Sequence, residues 1–233
     1  EGHYKTLNFN QSGFRLDYRT RRLHLSKIGD IPIKLHREVG QGKIKGIIIK
    51  RETTGRWFAL CQIEDSPSPL PYNGKAIGVD VGVKYFLTDS EARQIENPRY
   101  YQKTLDKIRC FQKSVCRKKK SSSNRVNAVL RLSKAYKKLT NQRDDFLHKL
   151  SRYYIKNYGV IAVENLKIAN MVRNRNLAQK ILDASWGKFF EMLSYKAERA
   201  GRTFLKVDPK YTSQENEVIE DRDFRGSINI LNR

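Results

Sequence analysis

One short stretch constrains this chain more than any other: Ala76-Ile77-Gly78-Val79-Asp80-Val81-Gly82-Val83. A brief apolar run rich in Ile and Val reads as a strand buried on both faces. An ionised carboxylate inside such a strand must be paired or bind a metal, so Asp80 is a candidate functional residue. Glycines 78 and 82 leave space beside it and let another backbone come close. The sequence reading takes that space as access for a nucleic-acid phosphate.

Two further acidic positions strengthen the signal. Val160-Ile161-Ala162-Val163-Glu164-Asn165-Leu166 is a second buried-strand pattern, with Glu164 near its C-terminal end. Asp221-Arg222-Asp223 precedes the apolar periodicity of Phe224, Ile228 and Leu231. That places Asp223 at a helix N-cap, where a purely structural role is to cap the helix.

Charge narrows the partner. The 233 residues hold 47 Lys plus Arg against 24 Asp plus Glu, a formal net charge of +23. A surplus of this size in a chain with core-forming strands points to a polyanion, foremost nucleic acid, with an anionic membrane surface as the rival. No apolar run approaches the roughly 20 residues needed to span a bilayer, so no membrane partner is expected. Cys61, Cys110 and Cys116 form no CxxC pair and read as reduced thiols of a cytoplasmic protein. His3, His24, His36 and His148 are scattered without metal-ligand spacing. The chain opens with Glu-Gly-His in mid-pattern, which reads as a fragment, and a missing N-terminus would hide any signal peptide.

Residues 1–70 read as β structure. Ile31–Leu35 and Lys45–Ile49 are short β-branched runs, and the turn Glu52-Thr53-Thr54-Gly55 leads to a return strand over Arg56–Ile63. Lys43, Lys45, Lys50, Arg51 and Arg56 mark the ends of that hairpin. This predicts a small antiparallel barrel, which either has a soluble surface or grips a nucleic-acid backbone; the segment alone does not decide. Ser66–Pro71 is a linker by composition, and a domain boundary falls there.

Beyond the Asp80 strand, Lys84–Thr88 and Arg93–Glu96 complete a three-stranded meander. Pro98 opens a helix carrying Tyr101, Leu105, Ile108 and Val115, followed by Arg117–Lys120 and the turn Ser121–Asn124. A second long helix carries Val129, Leu132, Tyr136 and Leu139, then Leu147, Leu150 and Tyr154, with Gly159 as its expected C-cap. From Lys113 to Arg152 there are 13 Lys or Arg and only two acids, Asp144 and Asp145. A helical hairpin so one-sided in charge suits a phosphate backbone, although charge runs are commonly just solvated. The candidate contacts are Lys118, Lys119, Lys120, Arg125, Arg131 and Arg143, with Arg173 and Arg175 in the basic loop after the Glu164 strand. Trp186, Phe190, Leu193 and Ala197 then form an apolar core stripe closed by Gly201, and Thr203–Val207 is a fifth strand.

The order βββ-α-β-α-β-α matches a ribonuclease-H-like α/β fold, a mixed sheet flanked by helices. In that topology the first and fourth strands are neighbours, and the last helix brings its N-terminal carboxylate to the same edge. Asp80, Glu164 and Asp223 would then converge. Three such carboxylates raise one another's pKa unless cations neutralise them. Oxygen ligands without His or Cys suit Mg²⁺ or Mn²⁺. Two ions would clamp the attacking water and the leaving 3′ oxygen of a phosphodiester, with Asp80 bridging and Glu164 and Asp223 each holding one ion.

Several segments together resemble a known family. They are Gly78–Val83, Gln94–Arg99, Asn141–Ser151, Val163–Leu166, Ala184–Phe189, Tyr195–Glu198, Val207–Gln214 and Asp221–Asp223. The chain is similar to TnpB, the transposon-encoded RNA-guided nuclease related to type V CRISPR effectors. The resemblance implies a RuvC-like nuclease domain over 71–233 with an inserted basic helical hairpin. Residues 1–70 would be part of a β-barrel wedge domain that binds nucleic acid. It also implies Asp80, Glu164 and Asp223 as the catalytic triad, a guide RNA from the transposon end, target DNA, and a monomer bound to its RNA. Family members carry a zinc ribbon where this chain passes from Gln214 to Glu215, so Zn²⁺ is expected only if that segment exists in the full-length protein. They also carry Asn-Ala-Ala where this chain has Arg225-Gly226-Ser227.

The leading expectation is an Mg²⁺-dependent, RNA-guided DNA endonuclease. A non-cleaving RNA-guided DNA binder is the alternative, but loss of cleavage normally removes a carboxylate and all three are present. An RNA-binding structural protein would explain the charge but not acids in buried strands.

Overall fold

The structure is a computed structural model that describes residues 5–36, 42–208 and 222–232. The chain divides into two units, the first comprising residues up to Pro67 together with Lys119–Lys134, the second the remainder.

In the first unit the strands are β1 (Thr6–Asn10), β2 (Phe14–Asp17), β3 (Arg22–Leu25), β4 (Gly29–Pro32), β5 (Ile44–Arg51) and β6 (Trp57–Ile63). They form two three-stranded antiparallel sheets, ordered β1-β5-β6 and β2-β3-β4. Alternate side chains of both meet in one core of Leu23, Leu25, Ile47 and Ile49, with Phe9, Phe14 and Leu16 packed against it. Pairing among the described residues does not close the predicted barrel. The strand predicted over Ile31–Leu35 runs earlier, over Gly29–Pro32, and Ile33 N–H, bonded to the Arg21 carbonyl, adds one more rung to the β3–β4 register. The β5–β6 turn forms as predicted, with Gly55 at φ 80° donating to the Glu52 carbonyl.

The second unit is a mixed α/β layer structure. Its strands are β7 (Ala76–Val81), β8 (Tyr85–Asp89), β9 (Gln94–Glu96), β10 (Val160–Glu164) and β11 (Thr203–Val207). Their order is β11-β10-β7-β8-β9, with β7, β10 and β11 parallel and β7, β8 and β9 antiparallel. β7 and β10, the first and fourth of these strands, are therefore neighbours. The helices are α1 (Tyr100–Cys116), α2 (Ser123–Asn157, of which only the part from Ala135 belongs to this unit), α3 (Ile168–Met171), α4 (Arg175–Ala184), α5 (Trp186–Ala200) and α6 (Arg222–Leu231). α4 lies where the sequence suggested a basic loop; its Asn174 side chain caps it by accepting from Asn176 N–H.

One face of the sheet carries Ile77, Val79, Ile161 and Val163. It shares a core with Leu147, Leu150 and Tyr154 of α2, Ile181 of α4, and the α5 stripe Trp186, Phe190, Leu193 and Ala197. α5 ends as predicted at Gly201, which adopts φ 64°. Gly159 is not the cap of α2: its N–H donates to the Lys75 carbonyl at 2.7 Å, where β10 starts alongside β7. In α2, Leu139 and Leu147 are buried but Val129 and Tyr136 face solvent, contrary to the expected stripe.

Two buried carboxylates are structural. Asp89, fully buried, accepts from Tyr154 Oη at 2.9 Å and from the backbone N–H groups of Glu91 and Arg93. Burial, then the adjoining Asp89 carboxylate, hold the Tyr154 phenol far above its usual range, so it remains a donor. Asp183 of α4 caps α1 from outside, accepting from Tyr101 N–H, and pairs with Arg143 Nη2 at 2.6 Å. Arg143, predicted as a nucleic-acid contact, is thus partly buried and paired with Asp183. Asp183→Ala would leave both donors without this acceptor. A loss of about 2 kcal/mol in unfolding free energy is expected, measurable by urea titration.

Candidate active site

The site lies on the opposite face of the sheet, which α6 covers. Ile77 and Val79 are in register with Ile161 and Val163, so the next rung sets Asp80 beside Glu164 on adjacent parallel strands. Residues alternate between faces, so both belong to the face of Gly78 and Ala162, opposite the α2 and α5 core. Strands about 4.8 Å apart bring the two backbones as close as any fold allows.

α6 rests directly on β7. A Cβ at Gly78 would overlap the Ser227 carbonyl oxygen and come within 2.9 Å of Leu231 N and Cβ. The backbone that Gly78 admits is therefore α6 of the same chain, which corrects the reading of that glycine as a phosphate approach. Gly226 makes the reciprocal contact: a Cβ there would lie 2.8 Å from Asp80 Oδ2. Gly226, Ser227 and Ile230 are the buried residues of α6, rather than the expected Phe224, Ile228 and Leu231, which are half-buried. Asp223 stands one turn before Gly226, as the second residue of α6 and not its N-cap. Its side chain lies outside the described residues.

Asp80 and Glu164 are both partly exposed, and across the β7–β8 ladder Asp80 is paired with Thr88. The Thr88 hydroxyl is buried without a hydrogen-bond partner. Carboxylate oxygens, a glycine notch against one of them and an unused hydroxyl suit a hard divalent cation better than a soft one. Among the described residues no three His, Cys, Asp or Glu side chains gather into a metal-sized cluster.

Of the predicted basic contacts, Lys119, Lys120, Arg131, Arg173 and Arg175 are exposed, while Lys118 and Arg125 are half-buried. The two acids of the basic segment are spent on ion pairs, Asp144 with Lys188 and Asp145 with Lys149, each at 2.6 Å. Arg109, Lys113 and Arg117 are not among the predicted contacts. They recur every four residues along α1 and, with Lys118, line an open groove of about 620 Å³.

The family model OrfB_IS605, described as "Probable transposase", matches residues 59–175, half of the chain. The chain belongs to the OrfB_IS605 family. A second model, "Cas12f1-like, TNB domain", matches residues 186–218. That match runs past the Gln214–Glu215 junction, where a zinc ribbon was expected and which lies outside the described residues. Among relatives of this OrfB_IS605 member is a "Putative RNA-guided DNA endonuclease" of Streptomyces pristinaespiralis. It is 31% identical over 198 residues, covering 84% of this chain and 49% of that protein. "Putative RNA-guided DNA endonuclease InsQ" of Escherichia coli K12 is 30% identical over 218 residues, covering 87% and 54%. The chain spans about half the length of these relatives. In fold it is similar to the protein in a "Cryo-EM structure of the Cas12f1-sgRNA-target DNA complex". The TM-score there is 0.55 at 14% identity, over 97% of this chain and 58% of that one.

Proposed function

We propose that this protein is an RNA-guided DNA endonuclease of an insertion-sequence transposon, with a RuvC-type centre of Asp80, Glu164 and Asp223. The observation that carries the reading is the parallel β7–β10 register, whose last pair, Val79 with Val163, is followed on each strand by Asp80 and Glu164, with Gly226 of α6 against Asp80. The β11-β10-β7-β8-β9 order supports a ribonuclease-H-like nuclease domain over 71–233, and the two small sheets support residues 1–70 as part of a wedge domain. The names of the relatives support the RNA and the DNA as partners. Among the described residues no helix is long and apolar enough to cross a membrane. The proposed setting is the cytoplasm, with the protein a monomer on its guide. Zn²⁺ would enter only with a ribbon segment in the full-length protein.

In this reading Asp80, Glu164 and Asp223 supply oxygen ligands to two Mg²⁺ or Mn²⁺ ions. Bound there, such ions lower the pKa of an attacking water and neutralise the leaving 3′ oxygen. Asp80, on the central strand, would hold the metal together with Glu164 and Asp223. No side-chain base is required. Base pairing to the guide reads the target, and the cationic surface holds the duplex by its phosphates.

The surface contacts carry their own expectation. Alanine at Lys119, Lys120, Arg131, Arg173 or Arg175 should weaken RNA and DNA binding without regard to sequence. Each lost phosphate contact should flatten the slope of log K against log salt by about 0.7–0.9, read from filter-binding at several salt concentrations.

The deciding experiment is cleavage of a target plasmid by the full-length protein, with and without its transposon-end RNA, in Mg²⁺ or EDTA. Cutting only with both RNA and Mg²⁺ is expected. RNA-dependent binding without cutting would replace the proposal by a non-cleaving DNA binder, and cutting without RNA would remove the guide from the account.

A further inference from the structure

Thr88 has no assigned role, yet its surroundings are unusual. It is 1% exposed, and its hydroxyl has no hydrogen-bond partner. A buried hydroxyl left unpaired is costly, and such groups are rare unless something else employs them. Other buried groups of the second unit are satisfied, Ser151 by the Leu147 carbonyl, Ser227 by Phe224 and Asp89 by three donors. Gln142 Oε1 and Trp186 Nε1 share the unpartnered state of Thr88 but do not lie opposite a carboxylate of the site. Thr88 is also the residue directly opposite Asp80 in the antiparallel β7–β8 pair. Paired residues share a face, with Cβ atoms about 5 Å apart. The Thr88 side chain therefore belongs to the face of Asp80 and Glu164, which α6 covers.

We propose that Thr88 is a positioning residue for the Asp80 centre, its hydroxyl donating to a water carried by a divalent cation that Asp80 holds. The inference rests on the metal-site reading of Asp80 given above. A threonine suits the place: its methyl fills the buried layer between β8 and α6, and its hydroxyl supplies one short, fixed donor. Such outer contacts orient ligands and tune affinity without touching the ion.

The test compares wild type, Thr88→Val, Thr88→Ser and Asp80→Asn in the full chain, with Mn²⁺ as the probe. Free Mn²⁺ is followed by electron paramagnetic resonance, and thermal unfolding is measured in EDTA. Valine keeps the shape and removes only the hydroxyl. It should weaken Mn²⁺ binding about 10–100-fold, and serine should restore it. In EDTA the valine variant should melt about 2–4 °C above wild type, because an unpaired buried hydroxyl is gone. Undiminished Mn²⁺ binding by Thr88→Val would overturn the inference. So would a lower melting temperature in EDTA, which would reveal a protein partner for the hydroxyl. If wild type binds no Mn²⁺, or Asp80→Asn binds it equally well, the metal-site reading itself fails, a result distinct from failure at Thr88 alone.

Discussion

Asp80→Ala should lower RNA-dependent DNA cleavage about a thousand-fold while leaving RNA-dependent target binding near wild type. The magnitude follows from losing a ligand of the proposed metal centre: Lewis-acid stabilisation of several kcal/mol converts to roughly that factor in rate. Binding should survive because the exposed cations Lys119, Lys120, Arg131, Arg173 and Arg175 lie outside the carboxylate site. The fold should survive too, because Asp80 is partly exposed and belongs to the α6 face, not to the Ile77 and Val79 core. Single-turnover cleavage and gel-shift titration of one preparation separate the two effects. Equal loss of both would mean that Asp80 supports the structure and not the chemistry.

Gly78→Ala should be the most damaging single methyl in the second unit. Its Cβ would overlap the Ser227 carbonyl and press on Leu231 N, both backbone atoms of α6, so no rotamer change relieves the clash. α6 would have to lift from β7. A cost of about 3 kcal/mol, or a fall of about 6–12 °C in melting temperature, is expected. Cleavage should fall as well, because α6, which sets Gly226 against Asp80, is part of the proposed centre. A variant melting with wild type would show that α6 does not rest on β7 as described.

The centre of this fold was legible because its signals are local. Short Ile- and Val-rich runs marked β7 and β10, and carboxylates inside them stood out as exceptions to burial. The two basic helices α1 and α2 were legible from their apolar spacing and the Ser121–Asn124 turn between them. What escaped depends on groups far apart in the chain. Asp183 is followed by no visible partner, because Tyr101 and Arg143 are 82 and 40 residues away. β1 to β3 are short and half-polar, and the β2–β3 turn is held by Asp17 accepting from Arg19 and Thr20 rather than by Gly or Pro. Arg21 there takes φ 52°, a conformation its side chain does not advertise.

Glycine was read correctly as a mark of close approach and wrongly as to what approaches. Gly78 admits α6, and Gly226, which looks like a weak point in a helix, leaves room for the Asp80 carboxylate. Neither is visible without knowing that β7 and α6 pack together. Asp89 and Asp80 make the same point from the other side: both are acids in buried strands, and only their neighbours tell the saturated carboxylate from the one facing the site.

The central claim is that Asp80, Glu164 and Asp223 form one divalent-metal centre. Anomalous scattering from crystals of the full-length protein grown with Mn²⁺ tests it most directly. One or two Mn²⁺ peaks between these three carboxylates, about 2.0–2.2 Å from their oxygens, are predicted. Mn²⁺ bound elsewhere, or none between β7, β10 and α6, would contradict the account.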